Sequence, residues 1–153
     1  MSILLTVSLS LLAGAAFFVL LWSGITTALS KSGWSQLARH YASTGHPVVS
    51  WKLRLAYIGM TSYRNALTMG VSEEGLSLVP SPLFARAHPE LLIPWTELKV
   101  GEARKFTLQP LIELRFKSEP EVCLALKKQD IERLLEEAQE QGVEFDSGSG
   151  RPG

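Results

Sequence analysis

Three histidines and one thiol are the side chains of this sequence best suited to proton transfer, nucleophilic attack or metal binding: His40, His46, His88 and Cys123. Their spacing gives none of these chemistries a start. No pair matches the Cys and His intervals of a zinc site or the His-Glu-x-x-His of a metalloprotease helix. His46 and His88 each precede a proline, which suits a turn and implies no partner for the imidazole. Cys123 stands between Val122 and Leu124, the setting of a small strand filler and not of an activated thiolate. As the single cysteine it leaves no internal disulfide. Nucleophile elbows, phosphate-binding glycine loops and dinucleotide fingerprints are absent from the sequence. Trp95 and its neighbour Glu97 form a ligand-facing pair only if the indole is open, and beside Pro94 it reads as core packing. No catalytic residue, metal site or cofactor is assigned. The alternative kept from the enzyme class is a small membrane-associated enzyme or enzyme subunit with a site near His88 and Trp95.

The other chemistry available is charge recognition. The fifteen bases and fifteen acids cancel overall but are unevenly placed. Lys31, Arg39, Lys52, Arg54 and Arg64 precede the first acid, Glu73, after which acids outnumber bases. A basic stretch behind an apolar segment suits anionic lipid headgroups, each base adding about 1 kcal/mol near the surface. Lys31, Trp34, Arg39, Lys52, Arg54 and Arg64 are therefore the candidate lipid-surface contacts. The plainer reading is that five dispersed bases only keep this surface soluble. Nucleic acid is not an expected partner, because the bases do not concentrate along a run of phosphates.

What must position these residues begins with an anchor. From Met1 to Ser30 there is no Asp, Glu, Lys, Arg or His. Ile3 to Trp22 is a run of twenty apolar and small residues, a helix of about 30 Å, matching a hydrocarbon core. Each of its Leu, Ile, Val and Phe side chains favours insertion by about 0.3–0.6 kcal/mol, and Trp22 closes the run where an indole prefers the headgroup layer. The rival reading is a secretory signal peptide cleaved near Thr26 and Ala28, but the basic n-region is missing. With Lys31 and Arg39 on the far side of the run, positive-inside reasoning puts the N-terminus outside and the following domain in the cytoplasm. Ser10 and Gly14 are spaced to let two such helices approach, a weak dimer signal.

Residues 31–47 read as a juxtamembrane helix and turn. Ser32 is a candidate cap, Trp34, Leu37, Ala38 and Tyr41 form one stripe, and Gly45 with Pro47 ends the helix. The stripe is expected to pack on the following domain, with the membrane surface as the other option. Residues 48–142 alternate short β-like runs with turn chemistry. In the first run, Trp51, Leu53, Leu55 and Tyr57 are expected inward and Lys52 and Arg54 outward. Further strands are expected at Asn65–Val71, Leu76–Val79, Leu91–Trp95, Leu98–Phe106, Leu111–Phe116 and Val122–Leu126, with Pro94 marking an edge or a bulge. Ile131, Leu134, Leu135 and Ala138 then fall at helical spacing, and Gly142 ends that helix. Residues 143–153 form a Gly/Ser-rich tail expected to be disordered.

Seven short strands and a C-terminal amphipathic helix resemble pleckstrin-homology-like (PH-like) domains. Glu74-Gly75-Leu76-Ser77-Leu78 and Ile93-Pro94-Trp95-Thr96-Glu97-Leu98 look like the corresponding strands of bacterial PH-like and GRAM-like domains. The resemblance covers Trp51 to Gln141. It implies a mainly β fold, a bent antiparallel barrel plugged by the helix, and binding of lipid or protein segments in place of catalysis. Phosphoinositide-binding members carry several bases around their first strand-to-strand loop. Here Gly59 to Tyr63 has none, which argues against inositol phosphate recognition. A tethered domain needs no lipid affinity to stay at the membrane, so a membrane protein is the more natural partner.

Overall fold

The structure is a computed structural model that describes residues 2–30, 33–45, 48, 50–106 and 109–143. The expectations placed on Lys31, Ser32, His46, Pro47 and the 144–153 part of the tail lie outside these residues.

Helix α1 spans Ser2–Ser30 and carries a 26-residue apolar stretch, Ile3–Ala28. It outruns the expected end at Trp22. Past that point the helix continues through Thr26 and Thr27, whose hydroxyls donate back to the Trp22 and Ser23 carbonyls at 2.7–3.1 Å. Back-bonding of this kind lets Thr persist in a helix interior. The 18-residue window that qualifies α1 as a candidate span has none of its residues buried by the rest of the chain.

Helix α2 is short, Trp34–Tyr41, with Gly33 at its N-cap position and no side-chain cap. Its C-cap is Ala42 in extended backbone, so Gly45 does not cap it; Gly45 instead donates its N–H to the Ser43 hydroxyl at 3.2 Å. Seven antiparallel strands follow: β1 Trp51–Ile58, β2 Thr61–Val71, β3 Gly75–Pro80, β4 Leu91–Pro94, β5 Leu98–Phe106, β6 Gln109–Phe116 and β7 Cys123–Lys127. They form one curled half-barrel sheet in the order β4-β3-β2-β1-β7-β6-β5. Pro94 sits in an end strand, where its missing N–H costs the sheet no ladder bond. Helix α3, Lys128–Glu140, packs against β6, β7 and β2.

Strand β1 departs from simple alternation. Trp51 and Leu53 point inward as expected, but beyond them Ala56 and Ile58 are buried while Leu55 and Tyr57 are half-buried. The pairing shows why. Leu53 faces Leu67 and Leu55 faces Arg64, so β2 holds one extra residue there, with Asn65 at φ 50°. A bulge of this kind bends both strands and changes which face each side chain takes.

The core joins α2, the sheet and α3. Trp34, Leu37 and Tyr41 are buried on it, so the α2 stripe packs on the domain and α2 belongs with the domain it precedes. Each such side chain contributes about 2 kcal/mol by leaving water. Ile131, Leu134 and Ala138 close the other side. Gly142, at φ 75°, ends α3 as expected. Its N–H reaches the Gln139 carbonyl and that of Val143 the Ala138 carbonyl, the paired bonds of a glycine-terminated helix.

Candidate functional site

The side chains with unusual surroundings gather where α1, α2 and the β3–β4 connection meet. That connection, Ser81–Glu90, contains Pro82 and Pro89 and is held by internal turns. Phe84 and Ala85 donate their N–H groups to the Ser81 carbonyl, and Ala87 and His88 donate theirs to the Phe84 carbonyl. The turns put Leu83 outside and His88 inside. His88 is 0% exposed, walled by Trp34, Tyr63 and Phe84 at ring-centre distances of 5.2, 5.8 and 5.8 Å. Its Nε2 lies 3.1 Å from the Tyr63 hydroxyl, while Nδ1 has no hydrogen-bond partner. The Trp34 indole donates to the Pro89 carbonyl at 3.0 Å and so ties α2 to the same loop.

Burial pushes the Tyr63 phenol up to about 12, so it keeps its proton. Burial also pushes His88 below the usual imidazole range, partly opposed by the nearby Phe84 carbonyl. An imidazole held neutral in an aromatic box, with no route to a solute, is packing and not acid–base machinery. It does make stability depend on acid. Because the folded pKa is depressed, the contribution of His88 is complete above its unfolded pKa of about 6.5 and is lost as pH falls from there toward the folded value. The limiting slope for one proton is about 1.4 kcal/mol per pH unit. Urea titrations of the chain in mild detergent across this window should show the loss, and His88→Phe should flatten it. Parallel profiles for the two proteins would mean that other groups set the acid response.

The remaining side of the cluster is made by α1. Trp22 stacks on Phe18 at 6.3 Å and meets Phe84 at 5.9 Å, and its Nε1 donates to the Leu83 carbonyl at 3.3 Å. Thr26, one turn on, is 4% exposed. A cleft of about 550 Å³ runs between helix and loop, lined by Phe18, Trp22 and Ser23 on one side and Leu83, Arg86 and Ala87 on the other.

Of the expected lipid contacts, the fold brings Lys52, Arg54 and Arg64 onto the neighbouring strands β1 and β2, with Arg64 opposite Leu55, and leaves Arg39 on α2. Trp34 is 0% exposed in the core, so its indole does not reach a headgroup and drops from that set. Arg39 is exposed on α2, and Lys52, Arg54 and Arg64 are exposed on β1 and β2. Lys31 lies outside the described residues.

The enzyme alternative needed a concave site gathering His88 with an acid or Cys123. The walls of His88 named above are aromatic, and Cys123 lines a different cavity of about 400 Å³ with Glu113 and Arg115. Trp95 is half-buried and donates to the Ser72 carbonyl at 2.9 Å, bracing the β2–β3 turn. Glu97 takes the Tyr41 hydroxyl at 2.8 Å and the Ser118 hydroxyl at 2.6 Å, and these bonds hold its carboxyl below the usual range. His40 pairs with Glu119 at 3.0 Å on the surface. Both acids clamp α2 onto the β6–β7 turn. Among the described residues no group of three His, Cys, Asp or Glu side chains is placed to hold a metal.

Sequence reasoning assigns no role to the Ser81–Ala87 loop, although Leu83-Phe84 beside Pro82 is a signal of apolar purpose. Compared with protein-family models, curated proteins and solved structures, the chain finds no match in any of the three.

Proposed function

We propose that this chain is a single-pass membrane protein whose PH-like domain works on the cytoplasmic side as a non-catalytic interaction module, engaging a membrane protein or the lipid surface. The observation that carries the reading is α1, a charge-free helix whose apolar stretch Ile3–Ala28 the rest of the chain leaves open along most of its length, Thr26 being the buried exception. A helix apolar all round and bare along most of its length is insoluble in water and at home in lipid. Arg39 and the later bases, all on the domain side, support the orientation. The two motif stretches that resemble PH-like domains lie side by side as β3 and β4, with Leu76 opposite Ile93 and Gly75 opposite Pro94.

An end strand without a second neighbour supports the reading as well. Among the described strands β5 pairs only with β6, leaving a nine-residue edge from Leu98 to Phe106. The bulge between Val100 and Ala103 and the exposed Lys99 and Glu102 discourage casual pairing along it. Addition of a partner's strand there is the recognition mode such an edge allows.

The test is extraction. The expressed chain should stay with membranes through alkaline and high-salt washes, with its domain protected from protease added outside. Leu11→Lys together with Leu12→Lys adds about 3 kcal/mol of insertion cost per substitution, enough to cancel the favourable sum of α1. That double variant should leave the membrane fraction. Release of the unsubstituted chain by the alkaline wash would sink the anchor reading. Affinity capture of the anchored chain from its own membranes then identifies the partner, and a turnover assay that consumes a substrate would overturn the non-catalytic assignment.

A further inference from the structure

Outside α1, three large apolar side chains stand open among the described residues: Val48, Met60 and Leu83. Leu83 differs from the others in where it is held. It is 68% exposed, yet its carbonyl accepts the Trp22 indole N–H and its neighbour Phe84 packs on the Trp22 ring. These contacts fix the depth of the loop relative to α1. The apolar stretch of α1 is 26 residues long. As a helix it measures about 39 Å, longer than a hydrocarbon core of about 30 Å. If the first twenty of those residues fill the core, Trp22 marks its boundary; any later register takes Trp22 deeper. Leu83 is no shallower than the boundary in either case.

The loop is also built for such a place. Backbone N–H groups are costly to bring toward hydrocarbon unless they are bonded within the protein. Pro82 has none, and those of Phe84, Ala85, Ala87 and His88 are all taken by loop carbonyls. Arg86, exposed three residues beyond Leu83, can run its apolar stem past the acyl edge and place its guanidinium among phosphates. The exposed acids Glu73 and Glu74 lie in the β2–β3 turn, at the end of β2 away from Thr61 and Tyr63, so no acid of that turn faces the lipid.

We propose that the β3–β4 loop is a second membrane contact of this chain, with Leu83 entering the acyl edge of the leaflet that receives the end of α1 and Arg86 resting on its phosphates. The occupant is the bilayer itself, and the inference rests on α1 spanning it. Two contacts at one membrane fix the tilt of the domain, which a single helix and a free linker would not. The domain is then presented to other membrane components in one orientation.

The test uses the full chain in vesicles of phosphatidylcholine and phosphatidylglycerol. A fluorophore is attached to Leu83→Cys, Leu12→Cys or Glu74→Cys, each in a Cys123→Ala background, with nitroxide lipids as quenchers. The nitroxide near the glycerol end of the acyl chain should remove emission at position 83, the one near the methyl end should remove it at position 12, and neither should affect position 74. Quenching at 12 without quenching at 83 overturns the loop contact and leaves the anchor standing. No quenching at 12 shows instead that the anchor reading has failed, and the loop contact with it. If the Cys123→Ala background does not fold, Leu83→Trp in the native-cysteine chain reads the same depth. Brominated lipid should then quench a larger share of its emission than that of the unsubstituted chain, and an equal share overturns the proposal.

Discussion

Leu134→Asp is expected to destabilise the domain by about 4–5 kcal/mol, a large part of the roughly 5–15 kcal/mol that holds a typical domain together. Helix α3 is a narrow wedge. Three of its thirteen residues are buried, Ile131, Leu134 and Ala138, and Leu134 is the middle one at 0% exposure. The rest of the helix is mostly charged and makes exposed pairs with itself, Lys128–Glu132 at 3.6 Å and Arg133–Glu137 at 3.0 Å. Such pairs contribute about 0.3–0.5 kcal/mol each and cannot hold the helix on the sheet. An Asp at position 134 loses the leucine packing and must either ionise in an apolar core or take up a proton against its ordinary pKa. Both routes are costly, and release of α3 would uncover β6 and β7 together. Thermal unfolding in mild detergent gives the readout, with Glu132→Ala as the matched surface change expected within about 0.5 kcal/mol of the parent. A melting temperature unmoved by Leu134→Asp would place the stripe against solvent or a partner.

What could be read from the chain follows how local each cause is. Helix α3 and its glycine terminus were legible because period and cap lie within fifteen residues of one another. Strand β5 was legible to its bounds, Leu98–Phe106, because turn chemistry stands on both sides of it. The inward face of β1 was legible only as far as Leu53. Beyond that the face is set by an extra residue in β2, which no pattern within β1 encodes. Helix α1 was legible as an apolar run, but its last eight residues were not, since Thr26 and Thr27 continue it by bonding to their own backbone. At the candidate site the limits are sharper. His88 could be read as a turn residue before Pro89; its aromatic box brings together residues from positions 34, 63 and 84. The Trp22 bond to Leu83 joins residues sixty-one apart. Contacts of that kind depend on the whole chain trace. They are where the lipid contact expected of Trp34 was overturned and where the loop at Leu83 went unnoticed.

Gly75→Ala is the second large effect, and it follows from backbone and not from core volume. Gly75 opens β3 directly opposite Pro94. A Cβ built there would sit 2.2 Å from the Ile93 carbonyl oxygen and 2.7 Å from its carbon, with the Pro94 Cα at 3.1 Å. These are main-chain atoms of the facing strand, so no rotamer relieves the clash and β4 must move away. Strand β4 cannot move alone. Leu91 and Ile93 are buried from it, Ala42 bridges to Leu91, and the turn that follows carries Trp95 to Ser72 and Glu97 to Tyr41. Shifting β4 therefore strains the β2–β3 turn and the clamp on α2 at once. A loss of about 3 kcal/mol is expected, the upper end of what overpacking costs. Gly45→Ala is the contrast, because its Cβ would meet only the Ser43 hydroxyl, at 3.4 Å, and should change stability by less than about 0.5 kcal/mol. Urea unfolding of both variants separates the explanations. Equal small losses would mean that β4 yields freely and that the glycine of the Gly-Leu-x-Leu strand is there for another reason. A large loss at Gly75 alone would show that the close approach of β3 and β4 is what that motif requires of its first residue.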